Sequence, residues 1–201
     1  MPAIEAATLE NVSSITDTFL ACFNDEYFTE LFPPTEVGVK YLNDAFSAFL
    51  DDKSAGLFII KDEQGNLASV LLFFEQPGGQ PPRKWTTRWP AAREGMNGPM
   101  MEEFFLGMDT QHHQVMGDKQ HTYVELVFTL PSQQRKGYGT QMVKYVAELV
   151  GATQPLYLDS RASTVKLYEQ LGFVRQDCDI EGEMIPMVKP VSRGDSVQAA
   201  T

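Results

Sequence analysis

The chain has 201 residues, of which 43% are hydrophobic, 11% aromatic and 21% charged, a composition that indicates one globular domain and excludes a disordered or fibrous protein. Its net charge of −11 argues against nucleic-acid and anionic-membrane partners, because both require a basic face. Two cysteines, Cys22 and Cys178, are too few and too far apart for a disulfide framework or a zinc site, so no metal is expected. Met1 to Ala7 lacks the features of a secretory signal and no apolar run reaches transmembrane length, which predicts a cytoplasmic protein.

Two amphipathic helices and a β-hairpin are predicted in the first part of the chain. Apolar residues spaced three or four apart predict helices over Thr8 to Asn24 and over Val39 to Leu50. A polar turn at Glu63 to Asn66 separates two apolar runs, which predicts a hairpin with strands at Gly56 to Ile60 and Leu67 to Phe74.

A stretch dense in proline and glycine follows, from Gln76 to Pro99. So many prolines and glycines interrupt regular structure, and a segment of this length is expected to be either a functional loop or a mobile one. Helical spacing resumes over Met100 to Met108 and allows the helix to extend past His112 and His113.

The second half is predicted to alternate strands and helices. Its elements are a strand at Tyr123 to Leu130, a helix at Gly137 to Val150, a strand at Leu156 to Leu158, a helix at Ser163 to Leu171, and closing strands at Phe173 to Asp177 and Met184 to Val188. Ser163 is the candidate N-cap of the last helix, and Gly151 and Gly172 stand where left-handed C-terminal residues belong. This order predicts one α/β or α+β domain over residues 1–190, followed by a disordered tail over residues 191–201.

The segment between the Tyr123 strand and the Gly137 helix carries the clearest chemical signal. Gly137 and Gly139 allow the main chain to approach a ligand without an intervening Cβ. The first N–H groups of a helix have no internal partner, and together with the helix dipole they attract anions. Arg135 and Lys136 add local positive charge. A pyrophosphate is the expected ligand.

Two well-known phosphate motifs do not fit this segment. A Walker A loop requires Gly-x4-Gly-Lys-Ser/Thr, which is missing here. A dinucleotide-binding Gly-x-Gly-x-x-Gly fingerprint would require glycine where Met142 stands. The remaining alternative is a glycine-rich turn that begins the helix and binds nothing.

Two motifs resemble those of the GNAT acyl-CoA-dependent N-acetyltransferases. Gln134-Arg135-Lys136-Gly137-Tyr138-Gly139 resembles the family signature Gln/Arg-x-x-Gly-x-Gly/Ala, and Leu167-Tyr168-Glu169-Gln170-Leu171-Gly172-Phe173 resembles its second landmark, Leu-Tyr-x-x-x-Gly-Phe. Phe23 to Tyr27 and the ending Lys189-Pro190 resemble the puromycin-acetyltransferase-like branch. The resemblance implies a single-domain GNAT fold, with a central mixed β-sheet flanked by helices on both faces.

The resemblance also implies that acetyl-CoA is the co-substrate. Its pyrophosphate is expected on the glycine turn, and its pantetheine arm is expected to pair with the backbone of the preceding strand. The expected contact residues are Val127, Phe128, Thr129, Gln134, Arg135, Lys136, Gly137, Tyr138, Gly139 and Thr140. Many family members have an asparagine early in the next helix, where Arg161, Ala162 and Ser163 stand here. Ser163 is the expected substitute.

Two residues are candidates for the proton transfers that such a reaction requires. Tyr168 matches the family's general acid, which protonates the departing CoA thiolate, although its spacing from Val165 and Leu171 also fits a core position. Glu125 is an acid within an apolar strand, where it needs a partner or a purpose. It is the candidate general base or substrate contact, and the alternative is an edge position that faces solvent.

Other polar residues are weaker candidates. The unperturbed pKa of a histidine suits a general base, but His112, His113 and His121 are interpreted as surface or loop residues. Glu26 and Tyr27 are expected in the loop after the first helix, where they could line the acceptor pocket.

The resemblance therefore implies transfer of an acetyl group from acetyl-CoA to a primary amine, by direct attack in a ternary complex, and a small molecule is the expected acceptor. The acidic surface favours a cationic amine, and the enzyme is expected to be a monomer or a homodimer. Neither cysteine has the surroundings of a nucleophile, which is consistent with direct attack. The alternatives are a protein or peptide N-acetyltransferase of the same fold and a non-catalytic acyl-CoA-binding module.

Overall fold

The computed structural model describes residues 2–178 and 184–191. In this part of the chain, seven strands form one mixed sheet and helices cover both of its faces, as the family resemblance implied. Residues 179–183, between the two predicted closing strands, and the predicted tail beyond Val191 lie outside the described residues.

The secondary structure alternates along most of the described chain. Its strands are β1 (Ile4–Ala6), β2 (Ala55–Lys61), β3 (Leu67–Gln76), β4 (His121–Thr129), β5 (Leu156–Arg161), β6 (Val174–Arg175) and β7 (Met184–Lys189). Its α-helices are α1 (Val12–Cys22), α2 (Glu26–Leu31), α3 (Glu36–Asp51), α4 (Gly98–Met116), α5 (Tyr138–Leu149) and α6 (Val165–Gln170). Among the described residues, no helix is both long and apolar enough to cross a lipid bilayer.

The strands lie in the order β1-β2-β3-β4-β5-β7-β6. Neighbouring strands run antiparallel except for β4 and β5, which are parallel. A parallel pair requires a crossover connection, and α5 supplies it. The parallel pair therefore lies in the interior of the sheet, and α5 begins just beyond the carboxyl end of β4.

The apolar core has two layers because side chains alternate across the sheet. On β3, Leu72 and Phe74 pack under α1, α3 and α4, whereas Leu71 and Phe73 pack under α5 and α6. Almost every residue of β3 is therefore buried. Burying an apolar side chain of this kind contributes about 1.5–3 kcal/mol relative to leaving it exposed, so packing on both faces stabilises the sheet.

The elements with strong periodicity are confirmed. The predicted hairpin is β2 and β3, and the helices predicted at Val39 to Leu50 and Gly137 to Val150 are α3 and α5. The helix predicted at Met100 begins earlier, because the side chain of Asn97 accepts a hydrogen bond from the Met100 N–H, which caps a helix start. This helix, α4, extends past both predicted histidines.

Two short elements were not predicted. Strand β1 has three residues, too few for a periodic signal. Helix α2 begins where Asp25 accepts a hydrogen bond from the Phe28 N–H at 3.0 Å, which is an N-cap. Glu26 and Tyr27 therefore lie in the first turn of a helix, and the expectation of a loop there is wrong.

The start of α6 also differs from the prediction. Ser163 is not its N-cap, because the helix begins after Thr164, whose hydroxyl lies 3.0 Å from that of Ser160. The end of α6 follows the prediction. Gly172 has a φ of 86°, and the N–H groups of Gly172 and Phe173 donate to the carbonyls of Glu169 and Tyr168, which is a Schellman motif.

Two histidines expected on the surface are buried, and that expectation is wrong. His112 on α4 and His121 on β4 are almost inaccessible, and their Nε2 atoms are 2.5 Å apart. The His112 ring stacks on Tyr157 with centroids 4.4 Å apart. Burial lowers the pKa of both imidazoles, because the charged form loses its hydration. His113 is exposed, as expected.

This pair is expected to make stability depend on pH. Below about pH 6.5 the unfolded chain binds a proton at each histidine, whereas the folded chain, with its lowered pKa values, does not. The free energy of unfolding should therefore fall with decreasing pH, by up to about 1.4 kcal/mol per pH unit for each histidine. His112→Phe keeps the stacked ring and removes one of these groups, so it should reduce the slope.

Urea denaturation between about pH 7.5 and about pH 5.5 measures this slope. The matched control is His113→Phe, because His113 is exposed on the same helix and its replacement should leave the slope as in the wild type. Equal slopes for His112→Phe and the wild type would contradict the expectation.

Candidate active site

The two parallel strands, β4 and β5, separate from each other after their first residues. Thr122 pairs with Leu156 and Tyr123 with Tyr157, and no further pairs join β4 to β5 within the described residues. Beyond this point β4 continues along β3 and β5 continues along β7. A cavity of about 520 Å³ opens between them, and we call it the β4–β5 cleft. Its β4 edge can pair with an extended ligand as a neighbouring strand would.

A β-bulge lies on β4 at the beginning of the cleft. Leu126 pairs with Leu72 and Val124 with Phe73, so Glu125 is the extra residue of β4. Bulges of this kind redirect a side chain and are common beside active sites. Glu125 lines the cleft and its side chain is only 4% exposed, so it does not face open solvent as the alternative interpretation required.

The turn at the other end of the cleft has the geometry of an anion site. Arg135 and Gly137 have positive φ angles of 63° and 85°, and the first backbone hydrogen bond of α5 runs from the Gln141 N–H to the Gly137 carbonyl. The amide N–H groups of residues 135–140 donate to no other group in the described part of the chain. Donors at a helix start are suited to a phosphate, so these residues fit the pyrophosphate of a CoA.

Most of the predicted CoA contacts lie together in this cleft. The predicted residues that line it are Val127, Phe128, Thr129, Gln134, Arg135, Gly137, Tyr138, Gly139, Thr140 and Ser163. The side chain of Gln134 donates to the Thr129 carbonyl at 3.2 Å, which fixes the turn against β4. Lys136 does not line the cleft, and its ammonium donates to Gln133 at 2.7 Å.

Tyr168 reaches the cleft from α6. It is 9% exposed, and its ring packs edge-on against Phe173. Within the described residues its hydroxyl has no hydrogen-bond partner, and the residue lines the cleft. Burial raises the pKa of Tyr168 to about 12, because the phenolate would lose its hydration. The phenol is therefore protonated at neutral pH and able to donate.

Glu125 is part of a buried ion-pair network. One of its oxygens accepts from Arg88 Nε at 2.7 Å, and the other accepts from Trp89 Nε1 at 2.6 Å. Arg88 also donates to Asp109 at 3.1 Å, and its side chain is 1% exposed. Arg88 and Trp89 come from the stretch predicted to be a functional or mobile loop, and here that loop is packed against the sheet.

A second carboxylate, Asp159 on β5, also lines the cleft. It accepts hydrogen bonds from Tyr157 Oη at 2.6 Å, Gln111 Nε2 at 2.5 Å and Tyr123 Oη at 3.0 Å. Burial raises the pKa of Asp159 to about 6, and the nearby charge of Glu125 acts in the same direction. The cleft therefore holds two carboxylates in different surroundings.

A cluster of aromatic rings lines the cleft, and we call it the aromatic wall. The rings that form it are Phe19, Phe23, Phe28, Phe32, Trp89, Phe104 and Phe105. Arg161 lies over the Phe28 ring, 4.4 Å from its centroid, and pairs with Asp25 at 3.1 Å. Such a wall binds apolar groups and the faces of its rings attract cations.

Glu26 and Tyr27 line an adjacent groove instead of the cleft itself. This groove contains the acidic side chains of Asp25, Glu30 and Glu103, and it shares Phe28, Phe104, Arg161 and Ser163 with the cleft. The two residues therefore lie beside the cleft, and their contact with an acceptor stays a prediction.

Sequence reasoning missed Arg88, Trp89 and Asp159. A tryptophan within a proline-rich loop indicates that the loop packs against the rest of the fold, because so large an apolar ring is rarely left exposed. Asp159 follows directly after the predicted strand Leu156 to Leu158, and the argument that singled out Glu125 applies to it equally, because it too is an acid in a buried strand. The predicted strand ended three residues early, at Leu158 instead of Arg161, and therefore left this carboxylate out.

A mixed sheet whose central parallel strands part beside an amide-rich turn is the architecture of the GNAT acetyltransferases. The model of the Acetyltransferase (GNAT) family matches residues 14–173, and the chain therefore belongs to this family, whose members depend on acetyl-CoA. No curated protein sequence shows significant similarity to the chain. Membership in the puromycin-acetyltransferase-like branch stays a prediction.

Solved structures with this fold cover almost the whole chain at low identity. A histone acetyltransferase HPA2 and related acetyltransferase from Corynebacterium glutamicum is 19% identical, with a TM-score of 0.61, and the match covers 96% of this chain and 98% of that one. Arylalkylamine N-acetyltransferase 2 from Aedes aegypti is 15% identical with a TM-score of 0.66, covering 94% and 98%. PaiA N-acetyltransferase from Thermoplasma acidophilum, solved with coenzyme A, is 8% identical with a TM-score of 0.56, covering 94% and 99%.

Proposed function

We propose that this enzyme transfers the acetyl group of acetyl-CoA to the primary amine of a small molecule that carries an apolar group. The observation that carries the proposal is the arrangement of the β4–β5 cleft, with free amides at one end and two carboxylates beside an aromatic wall at the other. The amides suit a pyrophosphate. The carboxylates and the rings suit an apolar ammonium ion.

The free N–H groups of residues 135–140 would hold the pyrophosphate, and the open edge of β4 over Val127, Phe128 and Thr129 would pair with the pantetheine arm. When bound there, acetyl-CoA supplies the activated thioester. A backbone N–H of the same edge would polarise the thioester carbonyl, an interaction that strengthens as negative charge develops on the oxygen.

The amine would attack directly, without an acyl-enzyme. Cys22 lines the cleft, but its thiol donates to the Thr129 carbonyl at 3.3 Å. Burial raises the pKa of the Cys22 thiol to about 11. Since the thiolate is the nucleophilic form, this cysteine is inert at neutral pH. Tyr168 would donate a proton to the departing CoA thiolate, and Glu125 would contact the ammonium ion.

The aromatic wall supports a small acceptor over a protein or peptide acceptor, because its clustered rings provide an apolar surface that fits a discrete group. The arylalkylamine acetyltransferase of Aedes aegypti has the same fold, and by its name acts on amines with an aromatic group. Here the rings of Phe23, Phe28 and Phe104 provide a surface for such a group.

An amine panel with acetyl-CoA, read by release of free thiol, tests the proposal. We expect 2-phenylethylamine to have a kcat/KM at least about tenfold above that of ethylamine, because burying the ring contributes about 1.5–3 kcal/mol and a tenfold change requires about 1.4 kcal/mol. A peptide with a free N-terminus is the comparison for the protein-directed alternative. Preference for the peptide, or no thiol release with any amine while CoA still binds, would contradict the proposed function.

A further inference from the structure

The two carboxylates of the cleft occupy equivalent positions on the parting strands. Tyr123 and Tyr157 form the last pair that joins β4 to β5. Glu125 and Asp159 each follow two residues later, and both line the cleft. Their side chains lie on the same side of the sheet as these tyrosines. The Tyr157 hydroxyl donates to Asp159, and Arg88, which binds Glu125, lies over the Tyr123 ring. An amine at the beginning of the cleft would therefore lie between the two acids.

The partners of these two acids differ in charge. Glu125 is paired with the guanidinium of Arg88 at 2.7 Å, so its negative charge is already compensated. Asp159 accepts only from neutral donors, which are two phenols and an amide. Within the described residues it forms no salt bridge. A buried carboxylate without a counter-charge is costly, and a bound ammonium ion would supply the missing cation.

We propose that Asp159 is the group that removes the proton from the acceptor's ammonium ion, while Glu125 holds that ion in place. This inference rests on the proposed function and deepens it. When the surroundings of two titratable groups in one site give them different pKa values, the two groups usually have different roles in the proton transfers. The raised pKa of Asp159, about 6, is close to the neutral range in which a general base is most effective.

The proton balance of the step is complete. Asp159 takes one proton from the ammonium ion, and the neutral amine forms the C–N bond to the acetyl carbon as the C–S bond breaks. The departing thiolate takes the hydroxyl proton of Tyr168. The second nitrogen proton restores the phenol of Tyr168, and Asp159 releases its proton to solvent. The products are the amide, free CoA and one proton.

The pH dependence of this step involves the charged and titratable groups that surround Asp159. Strand β5 contributes Tyr157 and Arg161, and β4 contributes His121, Tyr123 and Glu125. The others are His112 on α4, Arg88 on the loop before α4 and Cys178 beyond β6. On β7 the residue paired with Asp159 is Pro186, which does not titrate. The hydrogen bond from Tyr157 lowers the pKa of Asp159, whereas the charge of Glu125 raises it.

The test is the pH profile of kcat/KM for wild type and Asp159→Asn. We expect the wild type to lose activity as pH falls below about 6, where Asp159 becomes protonated. Asp159→Asn should be at least about tenfold less active at neutral pH and should lose this acid limb. Glu125→Gln should retain an acid limb, displaced to lower pH, because a charge that raises the pKa of Asp159 is removed.

Two controls keep the test decisive. Asparagine keeps the shape of the side chain and removes a buried charge, so the melting temperature of Asp159→Asn at neutral pH should equal or exceed that of the wild type. Tyr157→Phe removes one donor to Asp159 and should move the acid limb of the profile to higher pH. An unchanged acid limb in Asp159→Asn would overturn the inference. Absence of turnover by the wild type would overturn the proposed function instead.

Discussion

Tyr168→Phe is expected to reduce kcat by about two to four orders of magnitude, while the Kd of acetyl-CoA changes by less than about threefold. The phenol has no hydrogen-bond partner in the described part of the chain, and burial raises its pKa to about 12, so it is protonated and available to the departing thiolate. Phenylalanine keeps the ring and its edge-on contact with Phe173. The loss should therefore fall on turnover and not on binding or folding.

Single-turnover rates at saturating acetyl-CoA and amine separate these effects. Tyr145→Phe is the matched control, because Tyr145 lies on α5 outside the cleft, packs against Phe58 at 5.1 Å and should leave the rate unchanged. If Tyr168→Phe and the wild type had equal rates at saturation, Tyr168 would be a core residue without a catalytic role.

Gly139→Val is expected to weaken acetyl-CoA binding by at least about tenfold, which corresponds to about 1.4 kcal/mol. Gly139 lies in the first turn of α5, and a Cβ there would meet Thr129 and Val127 at 3.8 and 3.9 Å, which are ordinary contacts. The fold should therefore accept a side chain. The branched methyl groups of valine would extend in front of the free amides, where the pyrophosphate must lie.

Calorimetric titration with acetyl-CoA measures this effect, and Gly139→Ala is the matched control, since the family signature accepts alanine at this position. Gly137 is less suitable for the test, because its φ of 85° strains any residue with a side chain. An affinity of Gly139→Val equal to that of the wild type would place the pyrophosphate elsewhere.

Local sequence was sufficient to predict the turn, α5 and the end of α6. Each depends on residues close together in the chain, such as the glycines that adopt positive φ at positions 137 and 172. The same locality explains why the hairpin of β2 and β3 was predicted, because alternation and a polar turn specify it. The turn and the start of α5 also contain seven of the eleven predicted CoA contacts, from Gln134 to Thr140.

The acceptor side of the cleft depends on contacts between distant parts of the chain. Glu125 meets Arg88 across 37 residues, and Asp159 meets Gln111 across 48. Helical spacing on α4 indicates which residues share a face, but it does not indicate that His112 is buried against His121. Only the packing of α4 and of the proline-rich loop against the sheet determines these partners.

A crystal structure of the protein with coenzyme A would show where the pyrophosphate binds. We expect phosphate oxygens within about 2.7–3.2 Å of amide nitrogens of residues 135–140, with the pantetheine arm along the open edge of β4. Coenzyme A bound outside the β4–β5 cleft, or with its diphosphate away from that turn, would show that these amides are not the binding site.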